Sequence, residues 1–219
     1  MPTKPFCQAG LDQARVLIIG HDPRLQRTDT QADYALFGDY YFRPEPASRS
    51  EHRKYGLAKA AFSCAAYLTG GRYPAEQTAL TNLYNGSLPR APRRRTVLIP
   101  ESAARAGLAE IRALLDKGQV ELILPMSQQV NYWLQLLGFY GPAPEFLSSS
   151  EPSPAGVSHD PPFYRPLRSR AFPLICGNLY SGPDCTVVPI LHVKQWPLRG
   201  RFRVAYAEAY DHCARELAA

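Results

Sequence analysis

Val16-Leu17-Ile18-Ile19-Gly20-His21-Asp22-Pro23 is the stretch that decides the fold. Four apolar residues in a row, three of them β-branched, leave the strand no polar face. Such a strand is buried on both sides, as in a parallel sheet covered by helices. Gly20 and Pro23 stop it, so His21 and Asp22 are delivered to its carboxyl end, where open α/β sheets bind their ligands.

Outward from this strand, helical and extended patterns alternate. Residues 24–50 are polar, aromatic and Pro-interrupted, with Arg43-Pro44-Glu45-Pro46 among them, and read as a long loop. Over 51–68, Leu57, Ala60, Ala61, Cys64, Ala65 and Leu68 keep helical spacing up to the stop at Gly70-Gly71. A second strand is expected over 78–83, followed by the turn pair Asn85-Gly86 and a basic loop over 90–95. Ser102 is placed to cap a helix over 102–117, and Ser127 to cap one over 127–137, with a third strand at 120–124 between them. Residues 139–163 are rich in Pro and Ser without periodicity, a loop of the length that usually carries function or marks an insertion. Segments 172–176 and 185–191 flank Asn178-Leu179-Tyr180-Ser181-Gly182 as a hairpin or as neighbouring strands, and a helix over 202–217 closes the chain. The expected fold is α/β: a three-layer α/β/α sandwich around a central, largely parallel sheet of four to five strands. Asp22, Asn82 and His192 fall at three of the expected strand ends.

The 219 residues, 45% hydrophobic and 20% charged, suit a single globular domain over 1–219. A formal charge of +6 leans toward an anionic partner such as nucleic acid. Five cysteines with no C-x-x-C pair speak against a disulfide framework, a zinc ribbon and an iron–sulfur cluster, and for reduced thiols. The start has no apolar leader region and no apolar run approaches membrane-spanning length. A soluble, cytoplasmic monomer without a membrane partner is expected.

These motifs together resemble the uracil-DNA glycosylase superfamily. Gly20-His21-Asp22-Pro23 after its apolar strand is similar to the family's G-Q-D-P-Y, and Gln31-Ala32-Asp33-Tyr34-Ala35-Leu36-Phe37 to Q-A-H-G-L-C-F. Arg43-Pro44-Glu45-Pro46 falls where a Pro-rich DNA-backbone loop follows. Leu80-Thr81-Asn82-Leu83 resembles the segment that supplies the uracil-reading asparagine, and Ile190-Leu191-His192 falls where H-P-S is expected. The resemblance covers most of 14–218 apart from the 139–163 loop.

The resemblance implies a DNA-repair enzyme that hydrolyses the N-glycosidic bond of a flipped deoxyuridine, with no metal or cofactor. That reaction builds positive charge on the sugar and negative charge on the departing base. Asp22 would orient the attacking water; as a plain loop residue it would cap the following turn. His192 would donate to the base oxygen, for which a neutral imidazole suffices; otherwise it is a satisfied histidine at a strand end. One planar amide at Asn82 matches the N3–H and O4 of uracil and mismatches cytosine, the alternative being an Asx turn. Phe37 would stack on the base, with Gly20 and His21 lining the pocket, although Tyr34, Tyr40, Tyr41 and Phe42 are rival aromatics. Arg93, Arg94 and Arg95 are phosphate candidates or a solvated basic loop.

Three departures from the family pattern matter. Arg24 stands where a tyrosine excludes thymine, which opens the choice of base. His21 replaces a glutamine whose backbone serves the pocket. After His192 comes Val193-Lys194-Gln195-Trp196-Pro197-Leu198-Arg199 in place of Pro-Ser, so Trp196, Leu198 or Arg199 is the candidate wedge and Lys194 a further DNA contact, or Trp196-Pro197 simply packs on the last helix. Two other readings stay open: a DNA- or base-binding protein without turnover, and a nucleoside hydrolase.

Overall fold

The computed structural model describes residues 5–21, 41–42, 49–85, 99–141 and 176–219. Strand β1 (Val16–Gly20) lies inside the sheet, and all five of its residues are buried. It pairs in parallel with β2 (Thr78–Asn82), Val16 opposite Thr78 and Gly20 opposite Asn82. On its other side it pairs in parallel with β3 (Leu122–Pro125), Ile19 opposite Pro125. Two short strands follow, β4 (Tyr180–Ser181) and β5 (Thr186–Val187). β5 lies parallel to β3 and β4 antiparallel to β5, so the sheet order is β2-β1-β3-β5-β4.

Successive residues of a strand point to opposite faces, and the sequence covers both. Val16, Ile18, Leu80, Leu122 and Leu124 meet Phe62 and Leu68 of helix α1 (Arg49–Leu68). Leu17, Ile19, Ala79 and Ile123 meet Leu108 and Ile111 of α2 (Glu101–Leu115) and Val130 and Leu134 of α3 (Gln128–Leu136). Helix α4 (Gly200–Ala218) returns to the first face through Tyr206, Tyr210 and Cys213. The result is the three-layer α/β sandwich, with five strands, four of them parallel. Among the described residues, no helix is long and apolar enough to cross a membrane.

Several local expectations are corrected. Helix α2 starts at Glu101 with Pro100 in the cap position, so Ser102 lies inside the first turn and caps nothing; proline is tolerated there because the helix start needs no N–H from it. Ser127 occupies the cap position of α3 without a side-chain cap bond. The hairpin comes later than expected: Tyr180–Ser181 is itself a strand, Cys176 and Gly177 form a turn, and 172–175 lie outside the described residues. The chain reverses through Gly182-Pro183-Asp184-Cys185, where Asp184 takes φ 53° and the Gly182 N–H donates to the Cys185 carbonyl at 2.9 Å. Proline followed by a residue that tolerates positive φ is the signature of that turn. Phe139 and Tyr140 lie outside helix and strand, as expected of the start of the loop, but are buried against α3.

Candidate functional site

The chain leaves β1 for β2 on one side and then crosses to β3 on the other, so the sheet has its switch point between β1 and β3. Sheets of this kind bind ligands beyond the carboxyl ends at such a point. The residues delivered there are Gly20 and His21 from β1, and Met126 and Ser127 from β3. The pairing continues past the strands: the Met126 N–H donates to the Ile19 carbonyl at 2.8 Å and the Ser127 N–H to the Ile190 carbonyl at 3.2 Å. Met126 bridges Ile190 in parallel, which places His192 just past the same edge, two strands from β1 or ~10 Å across the sheet.

Asn82 ends β2 as the register partner of Gly20 and is fully buried. The Leu83 N–H donates to the Gly20 carbonyl at 2.8 Å and the Tyr84 N–H to the His21 carbonyl at 3.2 Å, so the two exits are tied together. Strand alternation sends Asn82, like Leu80, to the α1–α4 face, and His21, like Ile19, to the α2–α3 face. The His21 ring accordingly meets α3, where its Nε2 pairs with Gln129 Oε1. That oxygen also accepts the Ile99 N–H at 2.7 Å. A backbone N–H only donates, so the amide oxygen is fixed in place and His21 must donate to it from Nε2.

His192 is oriented by the same logic. Its Nδ1 accepts the Lys194 N–H at 3.2 Å at the start of the short 3-10 turn Val193–Gln195. The ring proton therefore resides on Nε2, the tautomer that donates outward.

Strain and some of the unsatisfied polarity of the described residues lie at the switch point, with Thr81 on the neighbouring β2 and Gln135 Oε1 at the far end of α3 as further cases. Ser127 takes φ 77° and ψ 158°, a region otherwise left to glycine. Among the described residues, Ser127 Oγ, Gln129 Nε2 and Thr81 Oγ1 are withdrawn from water without a hydrogen-bond partner. Buried polar atoms without partners are rare in folded proteins and mark places where water or a ligand completes the bonding. Neither Gln129 nor the conformation of Ser127 was singled out from the sequence. The available signal was a Ser-Gln-Gln run directly after a buried strand.

No protein-family model matches this chain, and no curated protein matches it.

Of the residues picked out by motif, Gly20, His21, Asn82 and His192 lie along one edge of the sheet, with His21 and Asn82 on opposite faces and His192 three strands from Asn82. Trp196 does not join them: its indole N–H donates to Ser63 Oγ at 3.2 Å, and its ring stacks on Tyr210 at 6.0 Å and lies 5.0 Å from Tyr67. It packs between α1 and α4, the alternative to a wedge. Leu198 is half-buried on the same core, whereas Lys194 and Arg199 are exposed. Tyr41 and Phe42 pack on Phe62 at 4.6 and 5.7 Å and belong to the core. Asp22, Arg24, Phe37, Arg43, Pro44, Arg93, Arg94 and Arg95 lie outside the described residues.

Proposed function

We propose that this chain is a monofunctional glycosylase that removes uracil, or a related damaged base, from DNA. The observation that carries the reading is the meeting of Gly20 and Asn82 on adjacent strand ends, with His192 held on the same edge. In the reaction the C1′–N bond breaks with its electron pair going to the base, and water adds its oxygen to C1′. The water's proton ends on the departing base. Asp22, next in the chain after His21, orients that water and balances the charge on the sugar.

His192 donates from Nε2 to the base oxygen as negative charge builds there, without needing a positive charge of its own. Asn82 reads the base edge, and an amide withdrawn from water discriminates more sharply than an exposed one because a mismatched partner leaves it unpaired.

The test is a panel of single- and double-stranded oligonucleotides carrying uracil, thymine or hypoxanthine, followed by alkali. Strand cleavage at uracil or another lesion supports the reading. DNA retention with no abasic product points instead to a binding protein, and turnover of free nucleosides alone to a nucleoside hydrolase.

A further inference from the structure

One side chain of α3 binds two segments that flank the switch point. Gln129 Oε1 accepts the His21 Nε2–H on one side and the Ile99 N–H, at 2.7 Å, on the other. Four residues on, one turn along the same face, the Trp133 indole N–H donates to the Ile99 carbonyl at 3.1 Å. Both polar groups of the Ile99 backbone are thus bound by α3 side chains, and Ile99, Gln129 and Trp133 are all buried. In the chain, Ile99 follows the basic run Arg93-Arg94-Arg95, and His21 precedes Asp22. His21 is held from a second direction as well, since its carbonyl accepts the Tyr84 N–H at 3.2 Å. Its ring is anchored to α3 and its backbone to the exit of β2.

The bonding of Gln129 serves position more than stability. An amide oxygen has two lone pairs, and both are engaged. Its Nε2 is buried and, among the described residues, has no hydrogen-bond partner. A buried donor left without a partner costs about as much as one buried hydrogen bond returns, so the clip adds little net stability. A methionine of similar shape would fill the space without the orphaned donor while unpairing the Ile99 N–H, and the two effects offset. What methionine cannot do is hold the imidazole.

We propose that Gln129 is a positioning residue for the glycosylase site. Its amide oxygen fixes the His21 ring as the Nε2–H tautomer and joins it to Ile99, so that Asp22 follows a residue locked on both ring and backbone. A catalytic carboxylate must be held within a fraction of an ångström of its working position, and a buried hydrogen bond on the preceding residue supplies that restraint. The chemical role rests on the glycosylase reading; the clip itself does not.

The experiment compares the wild type with Gln129→Met by proton–nitrogen NMR of the histidine side chains at pH 8, and by the kinetics of abasic-site formation on a uracil oligonucleotide. The His21 signals are identified by their loss in His21→Ala. In the wild type, Nε2 is expected to carry a proton that exchanges slowly with water; in Gln129→Met that proton exchanges too fast to be seen. The variant keeps its thermal midpoint within ~4 °C of the wild type. Its kcat falls ~10–100-fold with KM unchanged, because Asp22 acts in the transition state. A wild-type His21 protonated on Nδ1 instead, a Gln129→Met protein that keeps the protected proton or loses its fold, or an unchanged kcat overturns the proposal. A proton that vanishes in Gln129→Met, in a protein that makes no abasic sites at any lesion, keeps the clip and removes the glycosylase reading. Abasic product formed equally by both proteins does the reverse.

Discussion

Helix α2 rests on the backbone just past β2 because Gly107 has no side chain: a Cβ there would meet the Leu83 carbonyl oxygen at 1.6 Å and its carbon at 2.7 Å. Leu83 follows Asn82 and donates its N–H to Gly20, so this close approach sets the position of the strand end that carries the candidate base reader.

Gly107→Ala is therefore expected to destabilise the protein. Alanine gains ~1 kcal/mol in helix propensity, whereas forcing atoms into a packed site costs ~1–3 kcal/mol or more. The clash is with backbone, which cannot rotate aside, so the cost wins. Urea unfolding should show a lower midpoint with an unchanged slope; a midpoint equal to or above that of the wild type would refute the packing argument.

Ser127→Gly is expected to act in the opposite direction. A non-glycine residue at φ 77° costs ~1–3 kcal/mol of backbone strain, and the substitution also removes a buried hydroxyl without a partner. The extra freedom of glycine in the unfolded chain costs ~0.5–1 kcal/mol. Thermal unfolding should show a net gain. A loss would mean that Ser127 Oγ is satisfied by an ordered water worth more than the strain.

Stability should fall on the alkaline side. Withdrawal from water pushes the Cys176 thiol and the Tyr132 hydroxyl up to about 12, and the Cys213 and Cys185 thiols to about 11. These groups stay neutral in the folded chain while their unfolded counterparts ionise, so the unfolded state binds fewer protons above about pH 9. The stabilisation is complete below that pH and is lost as pH rises through 11 to 12. Midpoints measured from pH 7 to 11 should decline from about pH 9, and at pH 8 the native protein should react with a thiol reagent far more slowly than the unfolded chain. A flat profile or a fast native thiol would contradict this.

His192→Asn separates holding from chemistry. Asparagine keeps an acceptor near the Lys194 N–H and is favoured at a cap position, but it removes the Nε2 donor. Stability should stay within ~0.5 kcal/mol of the wild type, while abasic-site formation falls ~10²–10³-fold. Full activity in this variant would strip His192 of its role.

Much of this fold is legible in the sequence because burial writes itself into composition. The unbroken apolar run of β1 predicts a strand covered on both faces, and the 3.6-residue spacing of α1 predicts its single buried face. Less legible is whatever depends on contacts distant in sequence. The His21–Gln129 pairing joins residues 108 apart and exists only because β1 and β3 are neighbours. The opposite facing of His21 and Asn82 likewise follows from register, which no single motif contains. Trp196 reads from its place after His192 either as a wedge or as packing on the last helix, and only the packing of α1 against α4 decides for the second, half-buried against the core. The hairpin turns at Gly182-Pro183-Asp184-Cys185, later than the Asn178–Gly182 segment suggests, because Asp184 takes the positive φ that closes it.

The most direct measurement is the rate at which the purified protein generates alkali-labile sites in an oligonucleotide with a single uracil, compared with Asn82→Ala. The account predicts cleavage at the uracil position by the wild type and a loss of ~10²-fold or more in the variant. An absence of abasic product at uracil and at every related lesion, or an Asn82→Ala protein as active as the wild type, would contradict it.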